Sequence, residues 1–195
     1  MAEDSGLHLV TTFLPSTRAR PGHPELLLGG WCLPQDHRSR GDHDGARIAR
    51  PFGMRADERD RNTQLARELE GDLIERLSSA LNRYHQVSLT EGQWGLMISP
   101  WLRALVATAI QRYGAIDQCL GDFEVSTFTF VPTVASDLVP VDTLAAAWMV
   151  TDPVWSNWFD SQILSRLGTD DPRRRVEQLP SADAEALEVE PQPQV

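Results

Sequence analysis

The sequence contains no lysine: all 18 of its basic residues are arginine. That excludes Schiff-base chemistry on a lysine amine, a P-loop lysine and a kinase-type strand lysine. Cysteine is nearly as scarce. The two present, Cys32 and Cys119, are too few for a disulfide framework or a four-thiolate zinc site and read as free thiols of a reducing compartment. Basic residues are also few beside the 28 Asp and Glu, giving a net charge of −10, which argues against a nucleic-acid or anionic-membrane partner. Charge breaks every apolar run before the ~20 residues that span a bilayer. The most apolar stretch, residues 94–110, carries Arg103 at its centre. The acidic N-terminus, followed by only a short apolar stretch, does not resemble a secretory signal. A cytoplasmic protein without a membrane span is expected.

What is there suffices for one domain with a core: 195 residues, 41% of them apolar. Residues 7–14 are short, β-branched and aromatic up to Pro15 and read as a first strand. Leu26, Leu27 and Leu28 before Gly29-Gly30 read as a buried strand ending in a turn. From Arg55 to His85 leucine recurs every four residues, at 65, 69, 73, 77 and 81, which predicts a long helix packed on the domain core. The four-residue step drifts around a helix, so a coiled coil is not implied. Ser88 and Glu91 have capping-box spacing and open a second helix, which Pro100 is expected to kink or restart. Residues 125–131 alternate in the β manner, and 141–167 read as helix split by Pro153.

These elements predict an α/β fold with a small, partly parallel sheet and long helices. The expected organisation is a flexible N-terminus over 1–6, the α/β domain over 7–167, and a disordered tail rich in proline and acid over 168–195.

Several residues could carry chemistry. Asp36, His37, Asp42, His43 and Asp44 are a conceivable metal cluster, but a glycine-rich loop offers no rigid ligand spacing and a solvated loop is the simpler reading; no metal or cofactor is expected. Thr11 and Thr12 end the first strand, where α/β sheets hold ligands, and their hydroxyls could meet a phosphate or sugar oxygen. Six tryptophans stand beside two tyrosines. Their indole faces suit stacking on sugars or bases, although at helical spacing an indole is more often core. Trp94, Trp101 and Trp148 read first as core, Trp31 and Trp155 stand open between core and substrate contact, and acid/base pairs cannot be picked out among so many carboxylates. No Gly-x-Ser-x-Gly, Gly-x-Gly-x-x-Gly or Cys-x-x-Cys motif is present.

Four stretches in order carry a resemblance: Leu9-Val10-Thr11-Thr12; Leu27-Leu28-Gly29-Gly30-Trp31-Cys32; Trp94-Gly95-Leu96-Met97-Ile98-Ser99-Pro100-Trp101-Leu102; and the run from Trp155 to Leu164. Together they resemble a transferase family associated with bacterial O-antigen and capsular polysaccharide loci, whose members resemble nucleotide-sugar glycosyltransferases built of two Rossmann-like halves. The resemblance covers about residues 7–167. It implies a Rossmann-like first half that meets a sugar acceptor near Thr11, Thr12, Trp31, Trp94 and Trp155, with a base on this half activating the acceptor hydroxyl, for which His8, Asp57 and Asp152 are the candidates. The sequence departs from the family pattern at polar positions. Gly30 replaces an acid before the Trp-Cys pair, residues 51–59 lack a His-Trp-Asp-Asp-Arg stretch, Gly92-Gln93 replaces Arg-Tyr before Trp94, and Ser156-Asn157 replaces Asn-His after Trp155. Polar groups do the proton transfer in glycosyl transfer. The expectation is a truncated or split transferase with a separately encoded donor-binding half. The alternative is a non-catalytic binding or scaffold module derived from the same fold.

Overall fold

The structure is a computed structural model and describes residues 6–33 and 47–181. Five strands form one sheet: β1 (Leu7–Val10), β2 (Glu25–Leu27), β3 (Arg47–Ile48), β4 (Val125–Phe130) and β5 (Glu177–Pro180). Their order is β3-β2-β1-β4-β5 and every pairing is parallel. The expected sheet was smaller and only partly parallel; β3 and β5 extend it at its two edges. Leu9 pairs with Leu26 on one side and Phe128 on the other, and all three side chains are fully buried. Parallel strands covered on both faces need such continuous apolar runs, which explains the composition of β1 and β2.

Helix α1 (Ala56–His85) and helix α2 (Glu91–Asp122) form a hairpin between β3 and β4. Thr90 caps α2 by accepting from the Gln93 amide, while Gln93 returns a bond to the Thr90 amide. The cap thus lies two residues beyond the expected Ser88. Helix α2 also runs unbroken through Pro100. The carbonyl that Pro100 leaves without its helical donor belongs to Leu96, an exposed residue, where water can serve it. The leucine stripe of α1 packs on α2 rather than on the domain core: the core cluster draws no residue from α1, and Leu65 and Leu69 stay exposed.

Between β4 and β5 come the short helix α3 (Thr143–Met149) and helix α4 (Pro153–Asp170). Pro153 does split the stretch, with Asp152 capping α4 through the Trp155 amide at 2.8 Å. Residues 168–180, assigned to the tail by composition, complete α4 and form β5; Phe130 O then accepts from the Ser181 amide. No helix among the described residues is long and apolar enough to cross a membrane.

Candidate site at the carboxyl edge of the sheet

The chain leaves β1 toward β2 on one side and re-enters the sheet as β4 on the other, so the carboxyl ends of β1 and β4 flank a topological switch point, where open α/β sheets hold ligands. Thr11 and Thr12 follow β1 at this edge and both are buried. Helix α4 starts at the same edge. Asn157, fully buried in its second turn, accepts from the Val131 amide at 2.7 Å and donates to Thr129 O at 3.1 Å, pinning α4 to the end of β4.

One turn further, Asp160 is completely buried. Its Oδ2 accepts from Arg112 Nη1 of α2 at 3.0 Å, and the same guanidinium donates to Thr11 O at 3.4 Å. Trp31 Nε1 donates to that carbonyl at 3.1 Å. The Thr11 backbone therefore joins α2, the turn after β2 and, through Arg112, α4. Burial pushes the Asp160 carboxyl up to about 6, against the pull of Arg112 and the nearby Thr11 hydroxyl. Even so, Thr11 Oγ1, Thr12 Oγ1 and Asp160 Oδ1 are buried without a hydrogen-bond partner. The Thr11 hydroxyl faces the Asp160 carboxylate closely enough to lower its pKa as a hydrogen-bond donor does.

Gly29 shapes the turn beside this group. A Cβ there would stand 2.2 Å from the Trp31 indole, so only glycine lets the ring lie against the strand end. Trp31 remains 43% exposed, the part of the cluster that reaches solvent. Beneath it, Cys32 Sγ donates to Val10 O at 3.2 Å, and burial pushes its thiol up to about 12, far from a reactive thiolate.

The residues singled out from the sequence fall into two groups. Thr11, Thr12, Trp31, Asp152 and Trp155 are brought to the carboxyl edge or to the first turn of α4 beside it. Trp155 is buried there, stacked on Phe159 with centroids 4.9 Å apart. The others lie elsewhere. His8 is buried in β1 with Nε2 on Thr17 O at 3.0 Å and Nδ1 on the Thr127 hydroxyl at 2.9 Å. The carbonyl can only accept, so Nε2 carries the proton and Nδ1 accepts from threonine. Burial lowers the His8 pKa, in keeping with that neutral ring. Asp57 lies exposed in the first turn of α1 between Arg55 and Arg61, whose hydrogen bonds lower its pKa. Trp94 ties the α1–α2 elbow, its Nε1 donating to Asn82 Oδ1 at 2.9 Å, while Asn82 also bonds both backbone groups of Leu89. An open cleft of about 980 Å³ lies at this elbow, but its buried Ser78 hydroxyl is already bonded to Ile74 O, so it presents no such unpartnered group.

The cluster Asp36, His37, Asp42, His43 and Asp44 lies outside the described residues. Among the described residues, no three His, Cys, Asp or Glu side chains gather as metal ligands would. Sequence reasoning missed Arg112, Asn157 and Asp160. The available signal was polarity out of place: Asp160 has Ser156, Ile163 and Leu164 as its helical neighbours, the face that packs inward.

A parallel, Rossmann-like α/β domain with polar groups gathered at its switch point defines a ligand-binding class of fold. Within that class the chain has a family. Residues 7–188 match the family described as LIC12162 family transferase, and the chain belongs to it. Comparison with curated proteins and with solved structures finds no match.

Proposed function

We propose that this transferase moves a glycosyl group in surface-polysaccharide assembly, and that this domain meets the hydroxyl-bearing acceptor at the carboxyl edge of its sheet. The observation that carries the reading is the set of unpartnered buried polar atoms on Thr11, Thr12 and Asp160, at the edge where such folds bind substrates. A half-exposed indole, Trp31, adds a flat apolar face of the kind that stacks on a sugar ring. Asp152 and Trp155 frame the amino end of α4 at the same edge. In this reading His8, Asp57 and Trp94 serve the fold, because their polar groups are engaged within it.

Thermal-shift titration of the chain with a panel of nucleotide sugars tests the proposal. A donor at a hundred times its dissociation constant stabilises the folded state by about 2.7 kcal/mol, which for a domain of this size raises Tm by roughly 5–10 °C. Specific stabilisation by one donor, followed by transfer to a sugar acceptor, supports it. Uniform indifference to every donor and acceptor counts against it.

A second reading, a binding module or one subunit of a split enzyme, is favoured by an uncovered apolar surface. Val141, Leu144 and Trp148, in and just before α3, and Leu96 of α2 are each at least 66% exposed. A stable hetero-complex with a separately encoded donor-binding chain, with transfer only by the pair, would select the split form.

A further inference from the structure

We infer that α3 and the loop before it form the contact by which two copies of this chain pair about a two-fold axis, Leu144 of one copy against Trp148 of the other. The inference goes beyond the reaction: the glycosyl-transfer reading neither supplies it nor depends on it.

Between residues 131 and 150 the only charged side chains are Asp137 and Asp142, in a chain of which 24% is charged. Side chains this apolar are expected inside, yet Val134, Val139, Val141, Leu144 and Trp148 are each at least 65% exposed. Together they leave roughly 500 Å² of apolar surface uncovered, which is large for a monomer that has no use for it. A standard dimer interface covers about 800 Å² on each partner, of which about 65% is apolar in homodimers. The uncovered area therefore matches the apolar share of one side of such an interface.

The face is also self-complementary. Leu144 and Trp148 stand four residues apart and so lie on one side of α3, while Ala145, Ala146, Ala147 and Met149 are half-buried and the helix packs on α2. Two α3 helices laid antiparallel about a two-fold axis near residue 146 set Leu144 against Trp148 twice, the reciprocal contact of an isologous interface. That axis places the two Asp142 residues about 12 Å apart along the helices, so the like charges do not meet. Each Asp142 carboxylate is already held by its own helix, accepting from the Ala145 amide at 2.7 Å. A lipid surface fits less well. No arginine stands in this stretch to meet anionic headgroups, and they repel a chain of net charge −10.

Sedimentation velocity of the full chain at concentrations up to about 100 μM tests the inference. The expected species is a reversible dimer of twice the 21.8 kDa chain mass. Its dissociation constant should be about 10 μM or tighter, and should fall as salt rises from about 0.05 to 0.5 M, because screening relieves the repulsion between two acidic chains. Leu144→Asp and Trp148→Arg are each expected to weaken pairing at least about a hundredfold, with circular dichroism and cooperative urea unfolding unchanged because both side chains are mostly exposed in the single chain. Mixed in equal amounts, the two variants should pair again: one contact then sets an acid opposite a base, and the other keeps leucine against tryptophan. Should either variant fold poorly, the wild type and the other variant decide. A wild type that stays monomeric at about 100 μM in high salt overturns the inference, whether it floats with phosphatidylcholine vesicles, pairs with a separately encoded chain or binds neither. So does a dimer that neither variant weakens, or one that does not return in the mixture. In each case the titration with nucleotide sugars still decides the transferase reading by itself.

Discussion

Arg112 of α2 and Asp160 of α4 meet at 3.0 Å across the face of the sheet, with Asp160 fully buried and the Arg112 side chain 16% exposed. The pair ties the hairpin between β3 and β4 to the helix between β4 and β5, and it does so beside the end of β1. Replacing such a pair by apolar groups is often neutral, but removing one partner strands the other charge. Arg112→Met is expected to destabilise the protein by about 3–5 kcal/mol, read from urea unfolding at neutral pH. A loss below about 1 kcal/mol would show that the pair is screened by water.

The same carboxylate gives a pH signature. Its folded pKa of about 6 lies above the ordinary value of 3.8, so the folded state holds this proton more tightly than the unfolded chain does. The associated stability is complete below about pH 4 and is lost as pH rises through 6. From about pH 3 to about pH 7, the span of the whole titration, the wild type should lose about 3 kcal/mol relative to Asp160→Asn, which has no such titration. Urea unfolding of both proteins across that range checks this, and a flat difference would place the Asp160 pKa near the ordinary value.

Much of the fold was legible because local pattern and burial agree. Leu7, Leu9 and Val10 read as strand and form β1, and the leucine spacing from 65 to 81 locates α1. The pattern failed where a partner decides. In β5, Glu177 and Gln178 have an edge strand's freedom to be polar, so nothing apolar marks it; β3 is two residues long. The leucine stripe indicates that α1 packs on something, but not that the something is α2 rather than the sheet. At the site, Thr11, Thr12 and Trp31 were findable because strand ends and tryptophans are conspicuous. Arg112 carries no such mark and Asp160 only that of a charge on an apolar helix face; the pair declares itself once burial brings together partners 48 positions apart.

Pro100 gives a prediction of opposite sign. Helix α2 continues through it although proline supplies no amide to Leu96 O and crowds that turn. Its neighbour Ile98 is buried, so the helix is held by packing on either side of the defect. Pro100→Ala restores the missing donor and should stabilise the protein by about 1–3 kcal/mol, visible as a higher Tm with unchanged glycoside or nucleotide-sugar binding. A loss of stability would mean that the proline sets a bend the hairpin requires.

Gly29 tests how the indole is placed. Its φ of −174° is extended backbone open to any residue, so the need for glycine here is one of space and not of conformation. A methyl group would meet Trp31 at 2.2 Å, and the turn before Cys32, itself fully buried, leaves the backbone little room to yield. The ring must therefore swing outward, giving up the hydrogen bond from Nε1 to Thr11 O. Gly29→Ala is expected to cost about 1–3 kcal/mol and to expose the indole. The exposure should appear as stronger iodide quenching of the Trp31 fluorescence, isolated as the difference from a Trp31→Phe protein. Since Arg112 still holds Thr11 O, the strand end should stay in place and Asp160 should keep its raised pKa. If that pKa falls in Gly29→Ala, Trp31 rather than burial within α4 is what keeps water from the carboxylate.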